Sequence, residues 1–186
     1  MQIETEKIYL DCPAIFRTVE VGGLTKSELI QTLQRNAISV NESAERLLAS
    51  NHFTISEMRY SLTTVELTVH NLGFPRGATI AEIYRRADEH GFRLCPLELG
   101  PHLRLQYLDQ PEGYWGKPFR RHQAPSGSIT IASENLAEDD NLANGFYLRR
   151  IKGALWLRGY HCGPQHVWNA DDHFLFAKHT GPAFDA

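Results

Sequence analysis

The sequence is poor in cysteine, in long apolar stretches and in any strong excess of one charge. The chain has 186 residues and three cysteines, Cys12, Cys95 and Cys162, which lie far apart. A secreted domain held by disulfides has a denser and usually even set. No window approaches the roughly 18 apolar residues of a membrane-spanning helix, and no basic region followed by an apolar core opens the chain, as in a signal peptide. These absences predict a cytoplasmic protein without a membrane partner.

The charges of the chain are nearly balanced. The 19 Lys and Arg residues stand against 22 Asp and Glu residues, which gives a formal net charge of -3. Such a chain has no global basic field that would draw it to nucleic acid. Hydrophobic residues make up 42% of the sequence, an ordinary share for a globular protein, and the length suits one domain. We therefore predict a single domain over residues 1–186, with no cofactor.

The first half of the chain carries the patterns of helices. Thr25 with Glu28, and Thr79 with Glu82, have the spacing of capping boxes. Apolar residues at helical spacing follow each box, so a helix is predicted after each of them. A further short helix is predicted over residues 41–50.

The second half carries the patterns of strands. Apolar and polar side chains alternate there, as in half-buried strands, and Lys152 with Gly153 suits a two-residue hairpin turn. This order of elements predicts an α+β fold, in which amino-terminal helices with a short sheet (about 22–91) pack on a carboxy-terminal antiparallel sheet (about 92–180). The predicted strands cover residues 65–70, 128–133, 146–151, 154–159 and 173–178.

The segment that joins the two halves, residues 92–111, has the densest set of polar side chains. Residues 103–107 alternate and predict a strand, which would place Arg104 and Gln106 on one face. The guanidinium of an arginine there could bind a carboxylate or phosphate through two parallel hydrogen bonds. We predict a ligand groove at this junction, with six contributing residues: Arg104, Gln106, Asp109, Gln110, Trp156 and Trp168.

A purely structural interpretation of the same segment stays open. In that interpretation Glu98 pairs with Arg104, while Asp109 and Gln110 build a turn before Pro111. Trp156 and Trp168 would then be core aromatics of the sheet.

Four stretches of the chain resemble a family of small bacterial proteins whose function is uncharacterised. They are GATIAEIYRRADEHGFRLCP, LELGPHLRLQYLDQP, GALWLRG and HVWNADDHFLFAK, and the central motif has the form LCPxExGPxLRLQYxDQP. Members often carry the label helicase. The nearest approach to a phosphate-binding GxxxxGK[ST] loop, residues 22–27, lacks the glycine spacing and the Gly-Lys pair. The resemblance therefore implies a fold and a bacterial source, but not a helicase.

A basic and aromatic loop, residues 114–122, supports a nucleic-acid accessory role as an alternative. It interleaves cations with aromatic rings, as single-strand binders do. The contacts would come from Trp115, Lys117, Arg120 and Arg121. The acidic balance of the whole chain counts against this role, so nucleic acid is a possible partner but not the favoured one.

A cluster of histidine and cysteine near the carboxyl end supports a second alternative. His161, Cys162 and His166 are residue types that bind zinc, although their spacing matches no common zinc motif. They would serve a metal- or cysteine-dependent hydrolase. We favour instead a small cytosolic binding or interaction protein, with a small molecule or another protein as its partner, over an enzyme.

Overall fold

The structure is a computed structural model and describes residues 14–112, 124–134 and 142–178. The described residues form four helices and ten strands. The helices are α1 (Lys26–Arg35), α2 (Glu42–Ala49), α3 (Ile80–Glu89) and α4 (Leu99–Gln106). The strands are β1 (Ile15–Val21), β2 (Ser39–Val40), β3 (Tyr60–Thr68), β4 (Ala78–Thr79), β5 (Phe92–Arg93), β6 (Ile129–Ile131), β7 (Gly145–Ile151), β8 (Ala154–Tyr160), β9 (Val167–Trp168) and β10 (His173–Lys178).

The helix starts follow the local sequence. Thr25 caps α1 and Thr79 caps α3, and in both cases the glutamate three residues later completes the capping box. Asn41 caps α2 by accepting a hydrogen bond from the backbone of Ala44. These three predicted helices are confirmed.

One mixed sheet takes strands from both halves of the chain. Its order is β1-β3-β10-β6-β7-β8-β2, with β5 added to β10. The β10–β6 and β2–β8 pairings are parallel, whereas the others in this sheet are antiparallel. The α+β class is confirmed. The predicted division into a short amino-terminal sheet and a separate antiparallel one does not describe this topology, because β3 of the first half pairs directly with β10 of the second.

Helices and a small sheet cover the two faces of the mixed sheet. On the first face, the buried residues of α1, α2 and α4 form one hydrophobic cluster with Leu148 and Leu157. On the second face, α3 and the β4–β9 pair form another cluster with Phe174 and Phe176. Each hydrophobic cluster lies on one side only, because neighbouring strand residues point to opposite faces.

Residues 103–106 are helical and Tyr107 caps the end of α4, so the strand predicted over residues 103–107 is wrong. Leu99 and Leu103 lie one turn apart on α4 and both are buried in the first cluster, and five alternating residues are too few to distinguish a strand from a buried helix. Pro101 is tolerated in the first turn. A Cβ atom on Gly100 would lie 2.9 Å from Phe146, so the glycine lets α4 approach β7 closely.

A buried carboxylate links three neighbouring strands on the first face. Arg17 of β1 donates to Glu66 of β3 at 2.6 Å, and Nδ1 of His173 on β10 lies 2.7 Å from the other carboxylate oxygen. Burial alone would raise the pKa of Glu66, but the bonds to His173 and Arg17 outweigh it and hold that pKa below its ordinary value. This link joins β1, β3 and β10.

The helices of the described ranges are short. None of them combines the length and the apolar character that crossing a membrane requires.

Candidate functional site

The predicted ligand-binding arginine is part of the protein core. The Arg104 side chain is fully buried, at 0% exposure. Its guanidinium donates hydrogen bonds to the side-chain oxygen of Gln110 and to the carbonyl oxygen of Tyr107. Burial lowers the pKa of Arg104 to about 10, so the side chain stays charged at neutral pH. A buried charge needs such partners, and these bonds fix the turn after α4.

Gln110 extends the same network into the sheet. Its amide nitrogen donates to the carbonyl oxygens of Gly127 at 2.9 Å and Leu148 at 3.3 Å. The backbone carbonyl oxygen of Gln110 accepts a hydrogen bond from the guanidinium of Arg150 at 3.3 Å. Because its whole side-chain amide is engaged, Gln110 fastens the segment after α4 to β7 and offers a ligand nothing.

Gln106 binds the edge strand β1 instead of a ligand. Its side-chain oxygen accepts from the backbone nitrogen of Glu20 at 3.0 Å, and its nitrogen donates to the backbone oxygen of Glu20 at 2.7 Å. These two hydrogen bonds satisfy backbone groups of the edge strand β1, as a neighbouring strand would. Asp109 lies exposed in the turn beyond the helix.

The structural alternative for this segment is also corrected in one detail. Glu98 does not pair with Arg104. It accepts hydrogen bonds from the backbone and hydroxyl of Ser56, at 3.0 and 2.8 Å, and from the hydroxyl of Tyr60 at 3.0 Å. Burial, together with this bond to Glu98, raises the pKa of Tyr60 to about 12. Glu98 and Arg104 therefore each stabilise the fold through separate partners.

The predicted groove is not formed, because the sheet separates its two halves. Arg104 lies on α4, which packs on the first face. Trp156 alternates along β8 with Leu155 and Leu157, which face the first hydrophobic cluster, so its own side chain points to the second face. Trp168 belongs to the second cluster. The six predicted residues thus divide between opposite sides of the molecule.

A cleft of about 350 Å³ opens on the second face, where β6, β7 and β8 meet β9. Its lining includes Tyr147, Arg158, Tyr160 and Trp168, together with residues 161–163. This volume lies at the lower end of the range of small-molecule sites, about 300–1,000 Å³. The cleft, and not the predicted groove, is the candidate site.

Trp168 forms the aromatic wall of the cleft. Its ring centroid lies 5.7 Å from Tyr160, 5.1 Å from His166 and 4.9 Å from Phe174, each in an edge-to-face arrangement. Gly77 makes this position possible, since a Cβ atom there would lie 2.2 Å from the carbonyl oxygen of Trp168. The pairing of β4 with β9 therefore places the tryptophan at the cleft.

Two buried polar atoms near this aromatic wall, the indole nitrogen of Trp168 and the hydroxyl of Ser133, have no hydrogen-bond partner in the described ranges. The hydroxyls of Tyr84 and Tyr160 interact with each other. Burial raises the pKa of Tyr160 and of Tyr84, which keeps both phenols protonated.

Arg158 supplies the positive charge of the cleft. It stands opposite Tyr147 across the β7–β8 hairpin, and its Nε donates to the Tyr147 hydroxyl at 2.8 Å. Its guanidinium carbon lies 5.0 Å from the centre of the Trp156 ring, a cation–π distance. The two terminal nitrogens of Arg158 have no hydrogen-bond or ion-pair partner in the part of the chain that the structure describes.

The histidine and cysteine cluster also lines the cleft. Among the described residues, no group of three His, Cys, Asp or Glu side chains could hold a metal ion. His161 lies 3.1 Å from the Ser43 hydroxyl, and the ring of His166 packs on Trp168. Burial raises the pKa of Cys162, which disfavours the thiolate that a nucleophile needs.

The predicted nucleic-acid loop lies outside the described residues. Trp115, Lys117, Arg120 and Arg121 all belong to the stretch 113–123, for which no structure is described. The alternative that rests on them stays a prediction.

The sequence contained a signal for two site residues that the prediction omitted. A two-residue turn at Lys152 and Gly153 fixes the register of the hairpin, so Tyr147 must stand opposite Arg158. Strand alternation then places both on the face of Trp156. An arginine between aromatic neighbours on one sheet face was therefore predictable from the hairpin alone.

No protein-family model, curated protein or solved structure matches this chain. The interpretation of the cleft therefore depends on its own geometry and chemistry.

Proposed function

We propose that the chain is a small-molecule binding protein whose ligand occupies the cleft on the second face of the sheet. The observation that supports this proposal is the combination of an aromatic ring and a positively charged group in the lining of the cleft. A half-open cleft of about 350 Å³ brings together the ring of Trp168 and the guanidinium of Arg158, whose terminal nitrogens have no partner among the described residues. Binding sites typically combine such an apolar wall with a few convergent polar groups.

The chemistry of the lining supports binding more than catalysis. The cleft has a cysteine whose pKa is raised, and no carboxylate among its described lining residues could orient a histidine as a general base. The resemblance to the small bacterial family and a cytoplasmic location are part of this proposal.

The proposal is tested by mapping a fragment library onto the protein with amide NMR. We expect fragments to shift the indole signal of Trp168 and the backbone signals of residues 161–163. Shifts that cluster on another surface, or the absence of any fragment that shifts these signals, would contradict the proposal.

A blocking variant gives this experiment a matched control. Gly163 lines the cleft, and a Cβ atom there would meet no other atom within 4 Å. Gly163→Trp should therefore abolish fragment binding without unfolding the protein, whereas Gly163→Ala should bind as the native chain does. Glu57→Trp, at an exposed position outside the cleft lining, controls for the added indole. Equal binding by all three variants would place the site elsewhere.

A further inference from the structure

Among the described lining residues, the cleft offers a ligand a positively charged guanidinium and no carboxylate. The terminal nitrogens of Arg158 carry up to four N–H donors, and none of them is taken by a residue of the described ranges. The other polar lining groups include the Ser128 and Thr130 hydroxyls, and no Asp or Glu lies among the described lining residues. Since no described lining residue neutralises Arg158, a bound anion would supply the negative charge that the described part of the cleft lacks.

The orientation of this arginine is fixed before any ligand arrives. The bond from Nε to Tyr147 and the cation–π contact of the guanidinium with Trp156 restrain the group from two sides. The terminal nitrogens are left as the free edge. A fixed guanidinium edge matches the two oxygens of a carboxylate or phosphate and binds them through parallel hydrogen bonds.

The rest of the cleft favours a flat apolar group beside the anion. Trp168 is 4% exposed and packs edge-to-face with its neighbours, so the wall it forms is rigid. A volume near 350 Å³ suits one or two fused rings with a small acidic group.

We infer that the ligand of this cleft is a small aromatic or otherwise flat molecule that carries a carboxylate or phosphate, held by the terminal nitrogens of Arg158. This inference rests on the proposed function, because it requires that the cleft binds a ligand at all.

Four naphthalene derivatives that differ only in one substituent test the charge requirement: a carboxylate, a carboxamide, a phosphate and a methylamine. Their affinities are measured by calorimetry, and their location by the NMR signal of Trp168. We expect at least one of the two anions to bind about tenfold or more tightly than the neutral amide, and the cation to bind most weakly. A tighter carboxylate assigns a carboxylic acid as the natural group, and a tighter phosphate assigns a phosphate ester.

Variants of Arg158 identify the responsible side chain. Arg158→Met should remove the preference for the anions over the amide and leave the weak binding of the amide unchanged. Arg158→Lys should restore part of the preference, since it keeps the charge but loses the planar fork. Arg35→Met, at an exposed position in the last turn of α1, is the matched control for charge and should change nothing. Circular dichroism checks that each variant is folded.

The outcomes separate this inference from the proposed function. If all four compounds bind in the cleft with equal affinity, or if Arg158→Met keeps the anion preference, the inference is wrong while the proposed function stands. If none of the four shifts Trp168 and the fragment library does not either, the proposed function fails, and the inference fails with it.

Discussion

The two faces of the mixed sheet use their polar side chains in different ways. On the face covered by α1, α2 and α4, the buried charged groups Arg104, Glu98 and Glu66 each bind two or more protein atoms. On the face of α3 and β9, the terminal nitrogens of Arg158 and the indole nitrogen of Trp168 bind no residue of the described ranges. The charged groups of the first face thus serve the fold, whereas the terminal nitrogens of Arg158 on the second face are left to the cleft.

This difference explains why the most conspicuous polar motif in the sequence is not the candidate site. Residues 92–111 are dense in polar side chains because α4 and the following turn are buried and must satisfy their own backbone and charges. An arginine in the fold, whether fully buried like Arg104 or half-buried like Arg158, is a candidate for ligand binding only when its terminal nitrogens have no partner in the protein. Arg104 and Arg158 show the two cases within one chain.

The largest effect on stability is expected from breaking the network of the first face. Arg104→Met removes the donor of two hydrogen bonds, so the side-chain oxygen of Gln110 and the carbonyl oxygen of Tyr107 both lose their bond to the guanidinium. We expect the free energy of unfolding to fall by about 3 kcal/mol or more, measured by urea denaturation. Arg35→Met should change it by less than about 0.5 kcal/mol. A loss below about 1 kcal/mol for Arg104→Met would show that the network contributes little.

A smaller loss is expected from the carboxylate that links three strands. Glu66→Gln removes the negative charge that Arg17 and His173 both contact, and should lower the free energy of unfolding by about 2–3 kcal/mol at neutral pH. The loss is smaller than for Arg104→Met because both partners are partly exposed to solvent, which screens the interaction.

The pH dependence of this loss has a definite sign. The pKa of Glu66 in the folded protein lies below its ordinary value of 4.5, so its contribution is present above that value and is lost as the pH falls through the folded pKa. The difference between the native chain and Glu66→Gln should therefore shrink in acid. Thermal unfolding at several pH values measures it, with exposed Glu45→Gln as control. A difference that is independent of pH would rule out the ionic link.

The close packing of α4 against β7 predicts that an added methyl group at Gly100 lowers the free energy of unfolding by about 1–3 kcal/mol. Gly100→Ala places a methyl group 2.9 Å from Phe146, so helix and strand must move apart. Gly163→Ala, where the added atom has open space, should be neutral. Equal stability of the two variants in urea would show that the contact can relax freely.

A gain in stability is expected where a carboxylate is buried without a cation that binds it directly. Asp172 accepts from the backbone nitrogen of Asn169 at 2.7 Å, and burial raises its pKa from 3.8 to about 6. A raised folded pKa means that stability is highest below the unfolded value and is lost as the pH rises through 6. Asp172→Asn should therefore stabilise the protein by about 1–2 kcal/mol at pH 7.5.

The same substitution should bring no gain near pH 4, where the native carboxyl is still protonated in the folded state. Thermal unfolding at both pH values tests this. Asp171→Asn, at the exposed neighbouring position, is the matched control. An equal gain for Asp172→Asn at both pH values would contradict the raised pKa.

The sequence predicted those elements whose causes are local. The capping boxes at Thr25 and Thr79 act over three residues, and the turn at Lys152 fixes its own hairpin, so each can be identified without knowledge of the fold. Whether residues 103–107 form strand or helix depends on the packing of Leu99 and Leu103 against the sheet, which is a tertiary fact. The mixed sheet likewise depends on pairings between distant segments.

The candidate site was only partly predictable for the same reason. Trp168 was among the predicted residues because polar and aromatic side chains cluster at the predicted junction of the two halves. Its separation from Arg104 depends on which face each side chain takes. For Trp156, the face follows from strand alternation along β8. For Arg104, the face can be assigned only once its segment is known to be a helix.

The most direct test of the contrast between the two faces compares the two arginines in one experiment. Urea unfolding and titration with the tighter naphthalene anion are measured for Arg104→Met and Arg158→Met, with Gly100→Ala as a milder variant of the first face. We predict that Arg158→Met loses about tenfold or more in affinity while its free energy of unfolding falls by only about 1 kcal/mol, through the lost bond to Tyr147 and contact with Trp156. The first-face variants should lose stability and, while folded, keep the affinity. Equal destabilisation by the two arginine substitutions, with unchanged affinity for Arg158→Met, would contradict the account.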